Sequence, residues 1–168
     1  MSSYIKKACD CTKDIDCHER KTNDSLIKPT LLFCGQGGKG IFVGPDNPRA
    51  IVGRVLVDAR DICKPTVSIE FSSIISFLAT DEDAEGRLKF SLIRVCNNKS
   101  RELLNNWTYE VFRIEDFLDG MRFTDSFSFN YCDSLPCPEC CEYFVEVSVE
   151  NLLTANIVVK NVHITAVV

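Results

Sequence analysis

The residues of this chain whose types and spacing suggest chemistry are its ten cysteines, most of which fall in two clusters. The first cluster, CDCTKDIDC, spans residues 9–17, and the second, CDSLPCPECC, spans residues 132–141. Thiolates at such short spacing can bind a soft metal ion, exchange disulfides, or form bridges between chains. The elements that position the two clusters decide between these kinds of chemistry.

The second cluster contains a Cys-x-x-Cys pair, which presents two of the four ligands that zinc takes in a tetrahedral site. With the flanking thiols, the alternative zinc ligand set is Cys132, Cys137, Cys140 and Cys141. No second Cys-x-x-Cys pair accompanies it, so disulfide chemistry is favoured over a metal. A thioredoxin-like redox site needs a helix after the pair, and no helical pattern follows. No cofactor is therefore expected.

Two regions of different composition carry the cysteines. Residues 1–29 are polar, alternate in charge and show no hydrophobic period, so they are predicted to form a flexible connector arm. Residues 30–168 are predicted to form one domain, since a chain of 168 residues fits a single domain. Cys9, Cys11 and Cys17 thus lie on the arm, outside any core, where exposed thiols are suited to pairing with another molecule.

Period-2 alternation of apolar and polar residues recurs through the predicted domain. In TVSIEFSS, Val67, Ile69 and Phe71 face one side while serine and glutamate face the other. Only RIEDFLDGM, residues 113–121, has helical spacing. About eight short strands with no alternating helices predict an all-β antiparallel sandwich, jelly-roll-like in arrangement. The predicted strands are 31–34, 50–58, 66–73, 88–96, 107–113, 125–132, 142–150 and 162–168.

The remaining cysteines are Cys34, Cys63 and Cys96, at the ends of predicted strands or beside turns. Bridges within the chain are geometrically easy there, and a buried free thiol packs equally well as a small hydrophobe, so both interpretations stay open. The four cysteines of the second cluster are candidates for bridges between chains, as acceptors for the arm of a neighbour.

Two weaker signals predict structure rather than chemistry. GQGGKG, residues 35–40, lacks the spacing of a phosphate-binding loop, and its glycines are predicted to supply positive φ in a turn. Trp107 begins a predicted strand and is expected in the core rather than on a sugar-binding platform.

Composition disfavours several classes of function. The net charge of −5 and pI of about 5.1 argue against nucleic acid or an anionic membrane as partners, because both require a basic face. The sequence has two histidines and no supported catalytic arrangement, so an enzyme is not expected. The first 25 residues hold no apolar stretch and no run of about 18 apolar residues occurs, so neither a signal peptide nor a membrane span is predicted.

Several runs carry a resemblance to a known family: CKPTVSIEFSS, LKFSLIRVCNN, WTYEVFR, DSFSFNYCDSLPCPECCEYFVEVSVE and VVKNVHITAVV. Together they resemble an uncharacterised domain family of anaerobic spore-forming bacteria, over residues 30–168. In architecture the chain is also similar to the endospore appendage subunits, which are small jelly-roll proteins with a cysteine-bearing N-terminal connector. This resemblance implies that Cys9, Cys11 and Cys17 are connector cysteines that bridge to a neighbouring copy in a helical fibre.

The resemblance also implies a location. A spore-surface protein that is released by lysis of the mother cell needs no signal peptide, and its thiols oxidise once outside. The sequence and this resemblance together predict a structural subunit that joins copies of itself head to tail. The resemblance implies spore-coat proteins as further partners. The alternative is a zinc-stapled or carbohydrate-binding β-sandwich module.

Overall fold

The computed structural model describes residues 31–37, 41–43, 49–62, 64–81, 83–97, 99–111, 120–136 and 138–168. The predicted arm and most of the segment with helical spacing lie outside these residues. So do Cys9, Cys11, Cys17, Cys63 and Cys137. Within the described residues the chain forms nine strands and no helix: β1 Leu32–Cys34, β2 Ile41–Val43, β3 Arg49–Asp58, β4 Thr66–Ala79, β5 Glu85–Cys96, β6 Glu102–Val111, β7 Arg122–Ser134, β8 Cys140–Leu153 and β9 Ala155–Val167.

The strands form two antiparallel sheets, which confirms the predicted all-β sandwich. The first sheet has the order β1-β9-β4-β7, with β2 also paired to β9, and the second sheet has the order β3-β8-β5-β6. The pairs β1 with β9, β3 with β8, β4 with β7 and β5 with β6 are nested inside one another. A single long hairpin rolled up on itself has this nesting, which is the arrangement of a jelly roll.

The alternation seen in the sequence separates core from solvent. Val67, Ile69 and Phe71 on β4 are buried, as predicted, while Glu70 and Ser72 between them are exposed. Because successive side chains of a strand point to opposite faces, one face of each sheet supplies the core. Each fully buried large apolar side chain contributes about 1.5–3 kcal/mol of hydrophobic free energy. The largest such side chains are Tyr143, Phe77, Phe90, Ile69 and Ile75.

Aromatic rings join the two sheets on the side of the sandwich where β6 and β7 are the edge strands. The Trp107 ring on β6 stacks on Phe129 of β7 with centroids 3.7 Å apart, and Phe90 stacks on Phe127 at 4.3 Å. Trp107 is partly buried and packs against the core, in agreement with its predicted role. Stacked aromatic pairs add about 0.5–1.5 kcal/mol beyond their buried area, so this side of the sandwich is held closed by packing.

The opposite side of the sandwich is closed by backbone hydrogen bonds around Gly35. The Gly35 amide donates to the Ile164 carbonyl at 2.9 Å, on the first sheet. Gln36 and Arg54 then exchange two bonds, of 2.7 and 2.9 Å, with the second sheet. Positive φ was the predicted role of these glycines, but among the described glycines it occurs at Gly120. Gly35 is instead required because a larger residue has no room between the sheets.

Substitution of Gly35 by alanine tests this close approach. The added Cβ would lie 2.5 Å from the Arg54 carbonyl oxygen and 2.7 Å from the Ile164 carbonyl oxygen, both backbone atoms that cannot move aside alone. We expect Gly35→Ala to lower the free energy of unfolding by about 1–3 kcal/mol, measured by urea titration. Alanine at Gly120 would meet no atom within 4 Å, so that variant isolates the backbone contribution of a positive φ.

Candidate functional site

One disulfide joins the two central strands of the second sheet. Cys96 ends β5 and lies directly opposite Cys141 on β8 in the strand register, and their sulfurs are bonded. Both residues are buried. The sequence pattern predicts that Cys96 is either bridged within the chain or buried. In the structure Cys96 is both bridged and buried. We call this part of the molecule, with Cys96, Cys141 and the neighbouring Glu139, the disulfide end.

This pairing corrects the prediction for Cys141. The sequence pattern places Cys141 with the intermolecular cysteines and in the alternative zinc set, but its sulfur is already bonded to Cys96. Of the other members that the structure describes, Cys132 is exposed on the first sheet, and Cys140 is buried at the start of β8. Spacing along the chain does not reveal this separation, because Cys132 and Cys141 lie on strands of different sheets.

Two exposed thiols lie on the outer face of the first sheet. Cys132 on β7 is opposite Ser68, and Cys34 on β1 is opposite Thr165. β1 and β7 are separated by β9 and β4, so three strand spacings put the two cysteines at least about 14 Å apart. Exposure of Cys132 suits its predicted intermolecular role. Cys34 was predicted to be bridged within the chain or buried. It is exposed instead, because it lies at an outward-facing position of an edge strand.

A buried ion network lies beside the disulfide end. Asp133 Oδ2 accepts hydrogen bonds from Arg94 Nη1 at 2.7 Å and from the Tyr143 hydroxyl at 2.8 Å. A second nitrogen of Arg94 donates to Glu102 Oε2 at 2.6 Å. The side chains of Arg94 and Asp133 are 12% and 9% exposed. The four residues come from β5, β6, β7 and β8, so the network ties both sheets together.

Two members of the network, Tyr143 and Arg94, each keep one charge state at neutral pH. Burial raises the pKa of Tyr143, and the charge and hydrogen bond of Asp133 raise it further. Burial lowers the pKa of Arg94, but Glu102 and Asp133 together raise it by more, so the net pKa lies above its ordinary value. Tyr143 therefore stays neutral and Arg94 stays charged. Groups fixed in this way hold a structure together rather than exchange protons in catalysis.

Glu139 is a buried carboxylate at the disulfide end. Its Oε2 accepts hydrogen bonds from Asn97 Nδ2 at 3.0 Å and from Lys99 Nζ at 3.2 Å. Asn97 adopts a positive φ of 48°, which asparagine tolerates better than most residues, and the Lys99 amide closes the turn onto the Cys96 carbonyl at 2.8 Å. A cavity of about 200 Å³ adjoins these groups, with Cys96, Lys99 and Glu139 in its wall.

Arg94, Asp133 and Glu139 are not predicted as site residues by the sequence pattern. A signal was present for Asp133, because it falls in the inward phase of β7 after Phe127, Phe129 and Tyr131. A carboxylate at an inward position predicts a buried partner. No comparable local signal marks Arg94 or Glu139.

For membranes, no helix in the part of the chain that the structure describes is long and apolar enough to cross a bilayer.

The fold and its sulfurs define a jelly-roll β-sandwich that is stapled by one buried cross-strand disulfide and carries exposed thiols on one sheet face. Residues 28–168 match the family described as a domain of unknown function (DUF4489), and the chain belongs to this family. No curated protein matches the sequence. Among solved structures the chain is similar to the Eiger TNF protein from S. frugiperda, with 13% identity and a TM-score of 0.44, over 83% of this chain and 92% of that chain.

Proposed function

We propose that this protein is a structural, non-enzymatic subunit whose copies join head to tail into an extracellular fibre that is cross-linked by disulfides. The observation that carries the proposal is the pair of exposed cysteines, Cys34 and Cys132, on the outer face of the first sheet. Cys9, Cys11 and Cys17, in the polar N-terminal sequence, supply the matching thiols of a neighbouring copy.

The two exposed cysteines are too far apart to bridge each other. A disulfide requires Cα atoms within about 7 Å, roughly half the separation that three strand spacings impose. Any disulfide that Cys34 or Cys132 forms therefore has its second sulfur elsewhere. A connector from one copy that reaches the sheet of the next makes a heterologous contact, and such contacts generate rings or open filaments rather than closed dimers.

The surroundings of Cys132 favour docking of an extended segment. The neighbouring outward residues of β7 are Ser128, Asn130 and Ser134, which are exposed, small or uncharged. In the described part of the chain, β7 also has a strand on one side only, because it ends the first sheet. An extended connector can add itself to such an edge by main-chain hydrogen bonds, which would place its thiols close to Cys132.

Disulfides between chains persist in oxidising surroundings, so the proposal places the assembled subunits outside the cell. The similarity to endospore appendage subunits suggests the spore surface, which is reached by lysis of the mother cell. Spore-coat proteins are the proposed anchoring partners. Neither nucleic acid nor a membrane is part of this proposal, in keeping with the net charge of −5.

Electrophoresis without reductant tests the covalent part of the proposal. We expect the oxidised full-length protein to run as a ladder of covalent oligomers that collapses to monomer on reduction. Cys34→Ser/Cys132→Ser should remove nearly all of the ladder, and so should the triple variant of Cys9, Cys11 and Cys17. Ser128→Ala, on the same face, is the matched control and should leave the ladder intact. Electron microscopy should show filaments only for the wild type and for this control.

Isotope mixing distinguishes a neighbour from the same chain. When ¹⁴N- and ¹⁵N-labelled proteins are oxidised together, bridges between copies give cross-linked peptides that carry both labels. Peptide pairs from the arm and Cys132 that carry a single label only would show that the connector folds back onto its own domain. That result, or a wild type that stays monomeric after oxidation, contradicts the proposal.

A further inference from the structure

We infer that the reduced form of this protein binds one zinc ion through the sulfurs of Cys96 and Cys141 and a carboxylate oxygen of Glu139. The same two sulfurs form the disulfide of the oxidised protein, so ion binding and disulfide formation exclude each other. This site differs from the zinc set that the cysteine spacing suggests. It also does not depend on the proposed assembly, which uses other cysteines.

The three side chains lie close enough together to share one ion once reduction has broken the bond between the two sulfurs. Their ligand atoms lie within 4.8 Å of one another, and all three residues are buried. Zinc–sulfur bonds of about 2.3 Å and zinc–oxygen bonds of about 2.0–2.2 Å place tetrahedral ligands roughly 3.5–4 Å apart. Among the histidines, cysteines and acidic residues of the described chain, this is the one such group of three.

The backbone holds these ligands in place without the disulfide. Cys96 and Cys141 are register partners in the ladder between β5 and β8, so they face each other in the thiol form as well. The Glu139 carbonyl accepts a hydrogen bond from the Ala59 amide at 3.2 Å, and the Asn97 amide donates to the Cys140 carbonyl at 3.2 Å. Ligands that are fixed by sheet and turn hydrogen bonds lose little freedom when an ion binds.

The charges at this site balance around a divalent ion. Two thiolates and the Glu139 carboxylate are negative, whereas zinc and Lys99 are positive, with Lys99 Nζ 3.2 Å from the carboxylate. Buried charges are tolerated when they are paired or coordinate a metal. The nearby Arg94 does not compete with the ion for the Glu139 carboxylate, because its guanidinium binds Asp133 and Glu102.

The adjoining cavity supplies a fourth position. Its volume of about 200 Å³ exceeds the roughly 30 Å³ that one water occupies, and Cys96 and Glu139 both contribute to its wall. A site with three protein ligands and one water leaves the ion exchangeable. Zinc can then leave when the thiols are oxidised.

The chemistry starts from the thiols that every newly made chain carries. Binding forms two zinc–sulfur bonds and releases two protons from the cysteines. Oxidation removes two electrons from the sulfurs, forms the bond between them and frees the ion. Diamide is a suitable probe oxidant, since it takes up those two electrons and two protons to become a hydrazine.

Zinc analysis of the reduced protein tests the site. The full-length variant Cys9→Ser/Cys11→Ser/Cys17→Ser is reduced with a phosphine, loaded with zinc chloride and passed through a desalting column. We expect one zinc per chain by elemental analysis. Cys96→Ser and Cys141→Ser should abolish binding, and Glu139→Gln should weaken it by more than the roughly 10–100-fold that loss of an outer-shell partner produces. Cys34→Ser/Cys132→Ser is the matched control and should bind as the parent does.

Oxidation kinetics give a second measurement that does not depend on folding of the cysteine variants. Bound zinc should slow disulfide formation by diamide in the parent chain, and this protection should be lost in Glu139→Gln, which retains both thiols. Two results overturn the inference: no zinc on the reduced parent, or zinc retained by Cys96→Ser. If zinc is retained by Cys96→Ser and lost by Cys137→Ser, the ion belongs to the Cys-x-x-Cys pair.

Discussion

Asp133→Ala is expected to lower the free energy of unfolding by roughly 3–5 kcal/mol, the effect of removing one partner of a buried ion pair. The substitution leaves Arg94 charged at a position that is only 12% exposed, and it removes the acceptor of the Tyr143 hydroxyl. Glu102 remains on one side of Arg94, but its own side chain is 59% exposed and compensates only in part. Guanidinium titration, followed by Trp107 fluorescence, measures the change.

Two further variants separate the charge from the hydrogen bond. Arg94→Met/Asp133→Ala should be less destabilised than Asp133→Ala alone, because the double variant buries no unpaired charge. Tyr143→Phe keeps the ion pair and loses a single hydrogen bond, for which we expect about 1 kcal/mol.

The matched control is an exposed ion pair on the second sheet, which also carries Arg94. Arg54 and Glu142 lie 3.7 Å apart with side chains 52% and 42% exposed, so Glu142→Ala should change stability by about 0–1 kcal/mol. If Asp133→Ala changed the free energy of unfolding as little as Glu142→Ala, the network between the two sheets would contribute no more to stability than an exposed ion pair. A double variant that is less stable than Asp133→Ala would likewise contradict the assignment of the cost to unpaired charge.

The second large effect is loss of the disulfide. Cys96 and Cys141 are separated by 45 residues, and the chain-entropy relation for a loop of that size predicts a stabilisation of about 4 kcal/mol. Cys96→Ala/Cys141→Ala should therefore unfold at a clearly lower guanidinium concentration than the oxidised protein, with most of the difference arising in the unfolded chain. Equilibrium unfolding with and without reductant provides the measurement.

Reductant offers an internal control for this prediction. It should destabilise the wild type and leave Cys96→Ala/Cys141→Ala unchanged, whereas Cys34→Ser/Cys132→Ser should respond as the wild type does. A chelator must be present, because zinc on the reduced thiols would stabilise the native state and mask part of the loss. A wild type that is insensitive to reductant would show that this bridge does not form in solution.

The strands were predictable because their signal is local. In β4, apolar and polar residues alternate along consecutive positions, and burial of Val67, Ile69 and Phe71 follows from pleating alone. The predicted strand stops at residue 73, whereas β4 continues to Ala79. Its later outward positions, Ile74 and Leu78, are apolar. The alternation of apolar and polar residues therefore ends before the strand does. The three-residue strand β2 shows no alternation at all.

The candidate site was predictable only in part, because it depends on which strands become neighbours. Cysteine clustering pointed to residues 132–141, but the partner of Cys141 is on β5, and that pairing follows from the order of the second sheet. Arg94 and Asp133 lie 39 residues apart on different sheets, with no motif to connect them. Alternation tells which way a side chain points, and only the topology tells what it meets.

The nesting of the strands also sets the order in which this domain can be completed during synthesis. Leu32 on the first strand pairs with Val167 on the last, so the first strand has no partner until nearly all of the domain has left the ribosome. At about 5–20 residues per second, that delay is on the order of ten seconds. Cys96 likewise waits for Cys141, and its thiol remains open to chaperones and oxidants until β8 arrives. Translation speed and the redox conditions of the nascent chain should therefore influence the yield of this protein more than they influence a helical bundle of equal length.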